Sequence, residues 1–357
     1  MKFVRETREG TRFLRLCDEE GGYHYNHGYY SMNRWVDDEH LVLSRSKELY
    51  QWEGAELVLV DLKRETETLI IDDANRAECV VFGDLVYYMR GVDLMRYTIS
   101  TGEKTLVWEG EPHGAKEGHR PGLPHITADG RYISLQNGHD APANTRAWVI
   151  DTETGNCETF LIPPFAPPLW RVTHVMVCPT DKDKVFFCHE GTTQYISNRL
   201  WLWEKGKENR VLVKQRLDEQ GNLADCLGHE CWCPDGKGLY YVKYPVFGKA
   251  PYGLAYVSLD GELSAPDVRY SKYRYWHVCV SPDGKKLASD TIERESGVCV
   301  IDLETGEEKQ YLHTGPDRTH PTHPHPAFSP SSTRICFQDY REENGKAQML
   351  GVGIIDL

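Results

Sequence analysis

The stretch Val278-Cys279-Val280-Ser281-Pro282-Asp283-Gly284-Lys285-Lys286-Leu287-Ala288 joins two short apolar runs through a turn that contains Pro, Asp and Gly. Such turn residues between short apolar runs indicate paired strands. A turn with Asp, Gly or Pro leading into a short apolar run occurs seven times along the chain. The seven turns begin at Asp37, Phe82, Ala128, Pro179, Pro234, Pro282 and Pro330.

A second element follows each turn: an apolar strand that ends in Asp, Ser or Glu, then a tight turn and a further strand, as in Ile301-Asp302 with Thr305-Gly306. Hairpin-linked strands that repeat every roughly 40 to 55 residues are typical of propeller blades. Helical repeats of similar length would show apolar spacings of three and four, which the sequence lacks. The sequence therefore predicts an all-β, seven-bladed β-propeller, with a β-sandwich carrying extra hairpins as the alternative.

The last repeat, which ends in Ile355-Asp356-Leu357, lacks its outer strand. The strand-like segment Arg12–Leu16 can supply that strand, which would close the ring and remove exposed sheet edges. No Gly/Ser-rich or Pro-rich linker divides the sequence. We therefore expect a single domain over residues 1–357, closed by N- and C-terminal strands.

The amino-acid composition indicates which partners the protein can bind and in which compartment we expect it. A formal charge of −13 argues against nucleic-acid binding, which requires a basic face for phosphate contacts. We find no apolar run suited to a signal peptide or a membrane span, so we expect a cytoplasmic protein with no membrane partner. The 11 cysteines sit in apolar runs rather than at framework spacings, as expected of small core residues in a reducing compartment.

Several of the 15 histidines stand where propeller blades present side chains to a common centre. His323 and His325 are two residues apart, so an extended strand would place both rings on one face. His277 and His229 each precede the turn of their own blade by a few residues. Converging imidazoles suit a divalent transition metal such as Mn²⁺, Ni²⁺ or Zn²⁺. An isolated histidine is more often a hydrogen-bonded turn or core residue, which we expect for His24, His27, His40 and His313.

Other chemistry lacks its usual sequence support. Cys226, His229, Cys231 and Cys233 lie close together, but their spacing does not fit a zinc site and the residues alternate as in a strand. The sequence contains no Gly-x-Ser-x-Gly, Gly-x-Gly-x-x-Gly or P-loop motif. Serine hydrolysis and nucleotide chemistry are therefore not indicated.

An ordered set of motifs in the second half resembles the oligogalacturonate lyases of pectin-degrading bacteria. Any one of the motifs is a weak signal, whereas their order and approximate spacing are fairly specific. A weaker cue in the first half is Gly28-Tyr29-Tyr30. The motifs are Phe187–Gly191, Asn198–Trp201, His229–Trp232, His277 ahead of Ser281–Gly284, and Thr322–Pro326.

The resemblance implies an intracellular lyase of pectin degradation that cleaves di- or trigalacturonate, saturated or unsaturated, to 4-deoxy-5-keto-uronate-type products. It implies a metal, Mn²⁺ first and Ni²⁺ or Zn²⁺ as alternatives, held by three histidines and a glutamine. It places the histidines at His277, His323 and His325, whereas His320 occupies the glutamine position. It also makes His229 the base and Arg199 the residue that meets the substrate carboxylate, with His189 and His174 as further substrate-binding candidates.

These residue types fit β-elimination on chemical grounds. Removing the proton at C5 of a uronide develops charge on the adjacent carboxylate, which a metal and an arginine stabilise. A neutral histidine can take that proton, and water or the same base can protonate the leaving O4. Two alternatives stay open: a metal-dependent lyase for a different uronide, suggested by His320 and Thr193, or a non-catalytic propeller that binds a sugar or a protein.

Overall fold

The computed structural model consists almost entirely of strands. The one helix among the described residues is a 3₁₀ helix at Glu111–His113, and no described helix has the length and apolar character needed to cross a membrane. The structure describes residues 1–18, 22–48, 54–74, 78–116, 121–137, 146–161, 165, 171–191, 196–244, 252–260, 268–292, 296–314, 323–343 and 346–357.

Within these ranges the strands form seven sheets. In six of them, strands that follow one another along the chain are neighbours, and the seventh joins strands from the two ends of the chain. Each of these sheets is a propeller blade, so the predicted seven-bladed β-propeller is confirmed. The sheet formed by the chain ends contains β1 (Lys2–Arg8), β2 (Thr11–Cys17), β26 (Ala327–Phe328), β27 (Arg334–Glu343) and β28 (Lys346–Asp356). Following the chain, the next two sheets consist of β3 (His24–Asn26), β4 (His40–Ser46), β5 (Glu56–Asp61) and β6 (Thr66–Ile71), and of β7 (Cys79–Phe82), β8 (Leu85–Arg90), β9 (Asp93–Thr98) and β10 (Glu103–Trp108). The two after these consist of β11 (Pro121–Ile126), β12 (Tyr132–Asn137), β13 (Arg146–Asp151) and β14 (Cys157–Leu161), and of β15 (Arg171–Cys178), β16 (Asp181–Glu190), β17 (Leu200–Glu204) and β18 (Arg210–Val211). The last two consist of β19 (Cys226–Trp232), β20 (Gly238–Tyr244) and β21 (Gly253–Ser258), and of β22 (Tyr275–Val280), β23 (Lys286–Thr291), β24 (Gly297–Asp302) and β25 (Glu308–His313).

The two ends of the chain share one sheet, as the truncated last repeat predicted. Strand β2 pairs antiparallel with β28, in a register that places Phe13 opposite Ile355 and Leu16 opposite Val352. Strand β1 pairs with the outer side of β2, so this sheet has one strand more than we predicted. Phe13 and Leu16 are buried, which ties the N-terminal strands to the core of this sheet.

The chain divides into two compact units. The first unit comprises Met1–Arg90, Arg96–Lys104 and Lys272–Leu357, and the second comprises Gly91–Met95 and Thr105–Ser271. Each unit has its own buried apolar cluster, exemplified by Trp35 and Leu43 in the first and by Phe186 and Tyr241 in the second. The single domain over residues 1–357 stays a prediction. None of the eleven cysteines takes part in a disulfide bond, and eight of them are buried, as expected.

The first strand of four sheets is interrupted by a β-bulge at an equivalent place. Bulges re-aim side chains and are common beside active sites. Several residues at or near these interruptions have a left-handed backbone, which is rare outside glycine. The register shifts lie between Gly122 and His125, Thr173 and Met176, Gly228 and Cys231, and Tyr275 and Val278. The left-handed residues are Leu123, His174, His229 and, directly before β26, His325, with φ between 48° and 54°.

Candidate functional site

Three of the four predicted metal ligands lie together in the first unit. His277 belongs to β22, whereas His323 and His325 immediately precede β26. All three side chains are buried. The ring centre of His277 lies 4.3 Å from that of His325 and 5.1 Å from that of His323, and the latter two rings are 5.7 Å apart. The fourth predicted ligand, His320, lies outside the described residues.

Asp290 of β23 organises this histidine cluster, and sequence reasoning missed it. Its carboxylate accepts hydrogen bonds from the backbone N–H groups of His277 (2.8 Å) and His325 (3.1 Å). Its two oxygens also lie 2.9 and 3.1 Å from Nδ1 of His277. A carboxylate at Nδ1 orients an imidazole so that Nε2 is the nitrogen presented to a metal. Asp290 is therefore the orienting partner of His277.

The donor set of this cluster fits a divalent cation. Potential ligand atoms of His277, Asp290 and His323 lie within 4.8 Å of one another. Burial raises the pKa of Asp290 to about 6, although the charge of His323 and the backbone hydrogen bonds act in the opposite direction. A buried carboxylate is costly without a compensating positive charge, which a bound cation would provide. Imidazole nitrogens with a carboxylate suit borderline transition metals.

Two tyrosines border the histidine cluster. The ring centre of Tyr29 lies 4.9 Å from that of His325 in an edge-on arrangement, and that of Tyr30 lies 5.0 Å from that of His277. His27 is fully buried beside the same segment, with Nε2 3.2 Å from the carbonyl oxygen of Pro324. Burial lowers the pKa of His27 to about 4, so its ring is neutral. His27 is thus a hydrogen-bonded core residue, as expected.

The second unit contains a separate cluster around Arg199, His174 and His229. Arg199 directly precedes β17, whereas His174 and His229 lie on the bulges of β15 and β19. The rings of His174 and His229 are 6.2 Å apart, and the ring of Tyr244 meets His229 edge-on at 5.5 Å. Gly228 makes this packing possible, because a Cβ there would lie 2.7 Å from Oη of Tyr244 and 3.1 Å from Nε of Arg199.

Arg199 is bound to carboxylates of the chain itself. Its Nη1 and Nη2 donate to the two oxygens of Glu190 at 2.9 and 2.8 Å, and its Nε lies 3.6 Å from Oε1 of Glu230. The backbone N–H of Arg199 donates to Gln215 at 2.9 Å, which fixes the start of β17. The predicted role of Arg199 as a substrate clamp therefore requires that Glu190 give way to the substrate, and it stays a prediction.

Glu230 is a fully buried carboxylate that joins Arg199 to His174. Its Oε2 lies 2.9 Å from Nδ1 of His174. Burial alone would raise its pKa, but the hydrogen bond with His174 and the charge of Arg199 outweigh burial and lower the pKa of Glu230 to about 2. The pKa of Glu190 is also lowered, because the charge of Arg199 outweighs its burial. Both carboxylates are therefore ionised at neutral pH.

Two further histidines lie in the second unit. The ring of His189 stacks on Phe165 with 3.6 Å between ring centres, and its backbone N–H donates to the carbonyl of Arg199 at 2.8 Å. His125, on β11, is buried, and burial lowers its pKa to about 4. Sequence reasoning did not single out His125, Glu190 or Glu230. The two glutamates directly follow His189 and His229 in the chain, which is the signal that could have found them.

The sequence and the structure are both similar to those of known proteins. The model of the family described as oligogalacturonate lyase matches residues 140–262. An oligogalacturonate lyase of Dickeya dadantii is 26% identical over 315 residues, which cover 78% of each chain. The chain is therefore similar in sequence to the oligogalacturonate lyases. The resemblance predicted from the sequence is thereby confirmed.

Two other comparisons support this relationship at different levels. An oligogalacturonide lyase of Pectobacterium atrosepticum is 28% identical over 206 residues, so the match spans 53% of this chain and 50% of that relative. A solved structure described as oligogalacturonate lyase in complex with manganese superimposes with a TM-score of 0.78 at 19% identity. The superposition covers 100% of this chain and 96% of the other. At this identity, the structural match establishes the shared fold.

Proposed function

We propose that the protein is a carbon–oxygen lyase that cleaves di- and trigalacturonates, saturated or unsaturated, by metal-assisted β-elimination. The observation that carries the proposal is the group of three buried imidazoles around Asp290 in a chain similar in sequence to the oligogalacturonate lyases. The products would be 4-deoxy-5-keto-uronate-type sugars. We also propose that the protein is cytoplasmic, where short imported oligomers would be its substrate.

The metal in this proposal is Mn²⁺, with Ni²⁺ and Zn²⁺ as alternatives. The manganese in the similar solved structure supports this choice. His277, His323 and His325 would hold the ion, and His320 would replace the glutamine of the family as a fourth ligand. When bound, the ion would supply positive charge to the substrate carboxylate as negative charge develops on it.

The residues of the second-unit cluster would remove the C5 proton and bind the substrate. His229 would accept the proton from C5, and its half-buried ring is accessible enough to do so. Arg199 would bind a carboxylate of the substrate through its two terminal nitrogens, the geometry that it now uses for Glu190. His174 and His189 would contact the sugar from β15 and β16.

The proposal is tested by metal content and activity measured on the same preparation. Protein purified without a histidine tag should contain about one divalent ion per chain by mass spectrometry. The same protein should convert trigalacturonate to an unsaturated product that absorbs in the ultraviolet. His323→Ala combined with His325→Ala should lose both properties and remain folded. His40→Ala removes a surface imidazole paired with Asp37 and is the matched control.

A different uronide is the second candidate substrate, because His320 replaces the expected glutamine. A panel of di- and trisaccharide uronides separates the two candidates through relative kcat/KM. Elimination of a non-galacturonate uronide with trigalacturonate left intact would overturn the proposed substrate. A metal-free protein that eliminates none of them would leave a sugar- or protein-binding propeller as the better description.

A further inference from the structure

His174 and His229 have the same unusual backbone geometry. Both have φ of 54°, and each lies on the bulge of the first strand of its sheet. A left-handed backbone at a residue other than glycine persists where the surrounding structure enforces it, and such residues cluster at active sites. The two rings are 6.2 Å apart, close enough to act on adjacent atoms of one sugar. The fold thus presents two imidazoles in the same way.

His174 has a carboxylate beside its Nδ1. Oε2 of the fully buried Glu230 lies 2.9 Å from that nitrogen. A carboxylate in this position orients an imidazole and stabilises the imidazolium form, as in the triads of hydrolases. The side chain of His174 is 12% exposed, so a ligand can reach the ring. Its Nε2 is therefore the nitrogen through which His174 would exchange a proton with a substrate.

The stereochemistry of galacturonate calls for such a second group. In the chair form of this sugar, the hydrogen at C5 and the oxygen at C4 lie on opposite faces of the ring. The residue that removes the C5 proton therefore lies on the face opposite O4, so a second group is better placed than the base itself to protonate O4. The sugar oxygen that departs is a poor leaving group unless a proton reaches it as the bond breaks.

We propose that His174, held by Glu230, is the acid that protonates the leaving O4. This inference rests on the proposed function, with His229 as the base. His229 takes the C5 proton, and the electron pair of the C5–H bond forms the C4–C5 double bond. The electron pair of the C4–O4 bond stays on O4, which receives the Nε2 proton of His174. Proton exchange with water then returns His174 to its protonated state and His229 to its neutral state.

The test compares two substrates that differ in their leaving group. Trigalacturonate needs a proton on O4, whereas a galacturonide with a 4-nitrophenyl ether at O4 releases nitrophenolate without one. The variant is His174→Asn, because asparagine tolerates a left-handed backbone and its amide can stay near Glu230. His229→Asn is the comparison variant. His40→Asn, which removes a histidine paired with Asp37 outside this cluster, is the control. Thermal melting confirms that each variant is folded.

We expect His174→Asn to lose about 10²-fold or more in kcat on trigalacturonate and less than about threefold on the nitrophenyl ether. His229→Asn should lose activity on both substrates. An equal loss of His174→Asn on both substrates, or no loss on either, would overturn the inference and point to water as the proton donor. A wild-type protein that eliminates neither substrate would instead show that the proposed function is wrong.

Discussion

The two carboxylate oxygens of Glu190 accept hydrogen bonds from Nη1 and Nη2 of Arg199, at 2.9 and 2.8 Å, in the two-pronged geometry that a uronate carboxylate would use. A substrate that binds Arg199 must therefore displace a carboxylate of the chain. Such displacement costs part of the binding free energy, because a charge-assisted hydrogen bond contributes about 1.5 kcal/mol or more. The negative charge of Glu190 also offsets the positive charge of Arg199, which weakens the attraction that an incoming anion would meet.

Glu190→Gln should lower KM for trigalacturonate about tenfold and leave kcat much the same, because glutamine competes less strongly for the guanidinium. Steady-state kinetics measure both constants. Glu204→Gln, which removes the carboxylate beside Arg210, is the control for losing an ordinary ion pair. Arg199→Lys should raise KM and lower kcat together. A higher KM in Glu190→Gln would mean that Glu190 is needed to hold Arg199 in place.

Asp290→Asn should weaken metal binding about 10- to 100-fold, because it removes the negative charge that orients His277. Isothermal titration of the metal-free protein with MnCl₂ measures this loss directly. Asp302→Asn changes an aspartate at the end of β24 outside the histidine cluster and should bind the ion as the wild type does. Unchanged affinity in Asp290→Asn would remove Asp290 from the metal site.

His229→Asn should lower kcat by about 10² to 10⁴ and change KM little, because the imidazole is used only when the proton moves. Asparagine is chosen over alanine since φ is 54° at this residue. Near-normal turnover in a folded variant would exclude His229 as the base. His189 would then be the next histidine to replace.

Glu230→Gln should destabilise the protein near neutral pH and have less effect in acid. A pKa of about 2, against the ordinary value of 4.5, corresponds to about 3 kcal/mol of folding free energy. Because the folded-state pKa is depressed, this contribution is present above about pH 4.5 and is lost as the pH falls towards 2. Urea unfolding of both proteins at several pH values measures it. A stability difference that stays constant from pH 7 to pH 3 would contradict this account.

Removal of residues 1–16 should destabilise the whole protein, because β2 covers the edge of β28 and buries Phe13 and Leu16. Removal of residues 1–9 takes away only β1 and should have a smaller effect, since β1 is the outermost strand of its sheet. Thermal melting compares the two truncations with the full chain. Equal melting temperatures for the protein lacking residues 1–16 and the full chain would contradict the role of β2 in closing this sheet.

The strand repeats were predictable from the sequence because they depend on local spacing, and the histidine cluster was predicted from the spacing of His323 and His325 together with the resemblance to the oligogalacturonate lyases. Turns recur at blade intervals, but His323 and His325 lie directly before β26, with φ of 48° at His325, and not on the extended strand that we expected. Asp290, Glu190 and Glu230 were not predicted, because their roles depend on which strands become neighbours. Asp290 meets His325 across sheets, and Glu230 meets His174 in the same way. The left-handed backbone at His174 and His229 could not be predicted either, because the spacing of residues in a sequence does not reveal backbone dihedral angles.

The left-handed backbone at the bulges of β11, β15 and β19, and directly before β26, limits which residues can stand at these positions. At Leu123, His174, His229 and His325, φ is positive. Asparagine, aspartate, histidine and glycine tolerate this conformation best, whereas β-branched residues are strongly disfavoured. New chemistry at these four positions would therefore be drawn from a small set of polar side chains that can hydrogen-bond a sugar or bind a metal. The same backbone that positions the imidazoles also restricts what selection or design can put there.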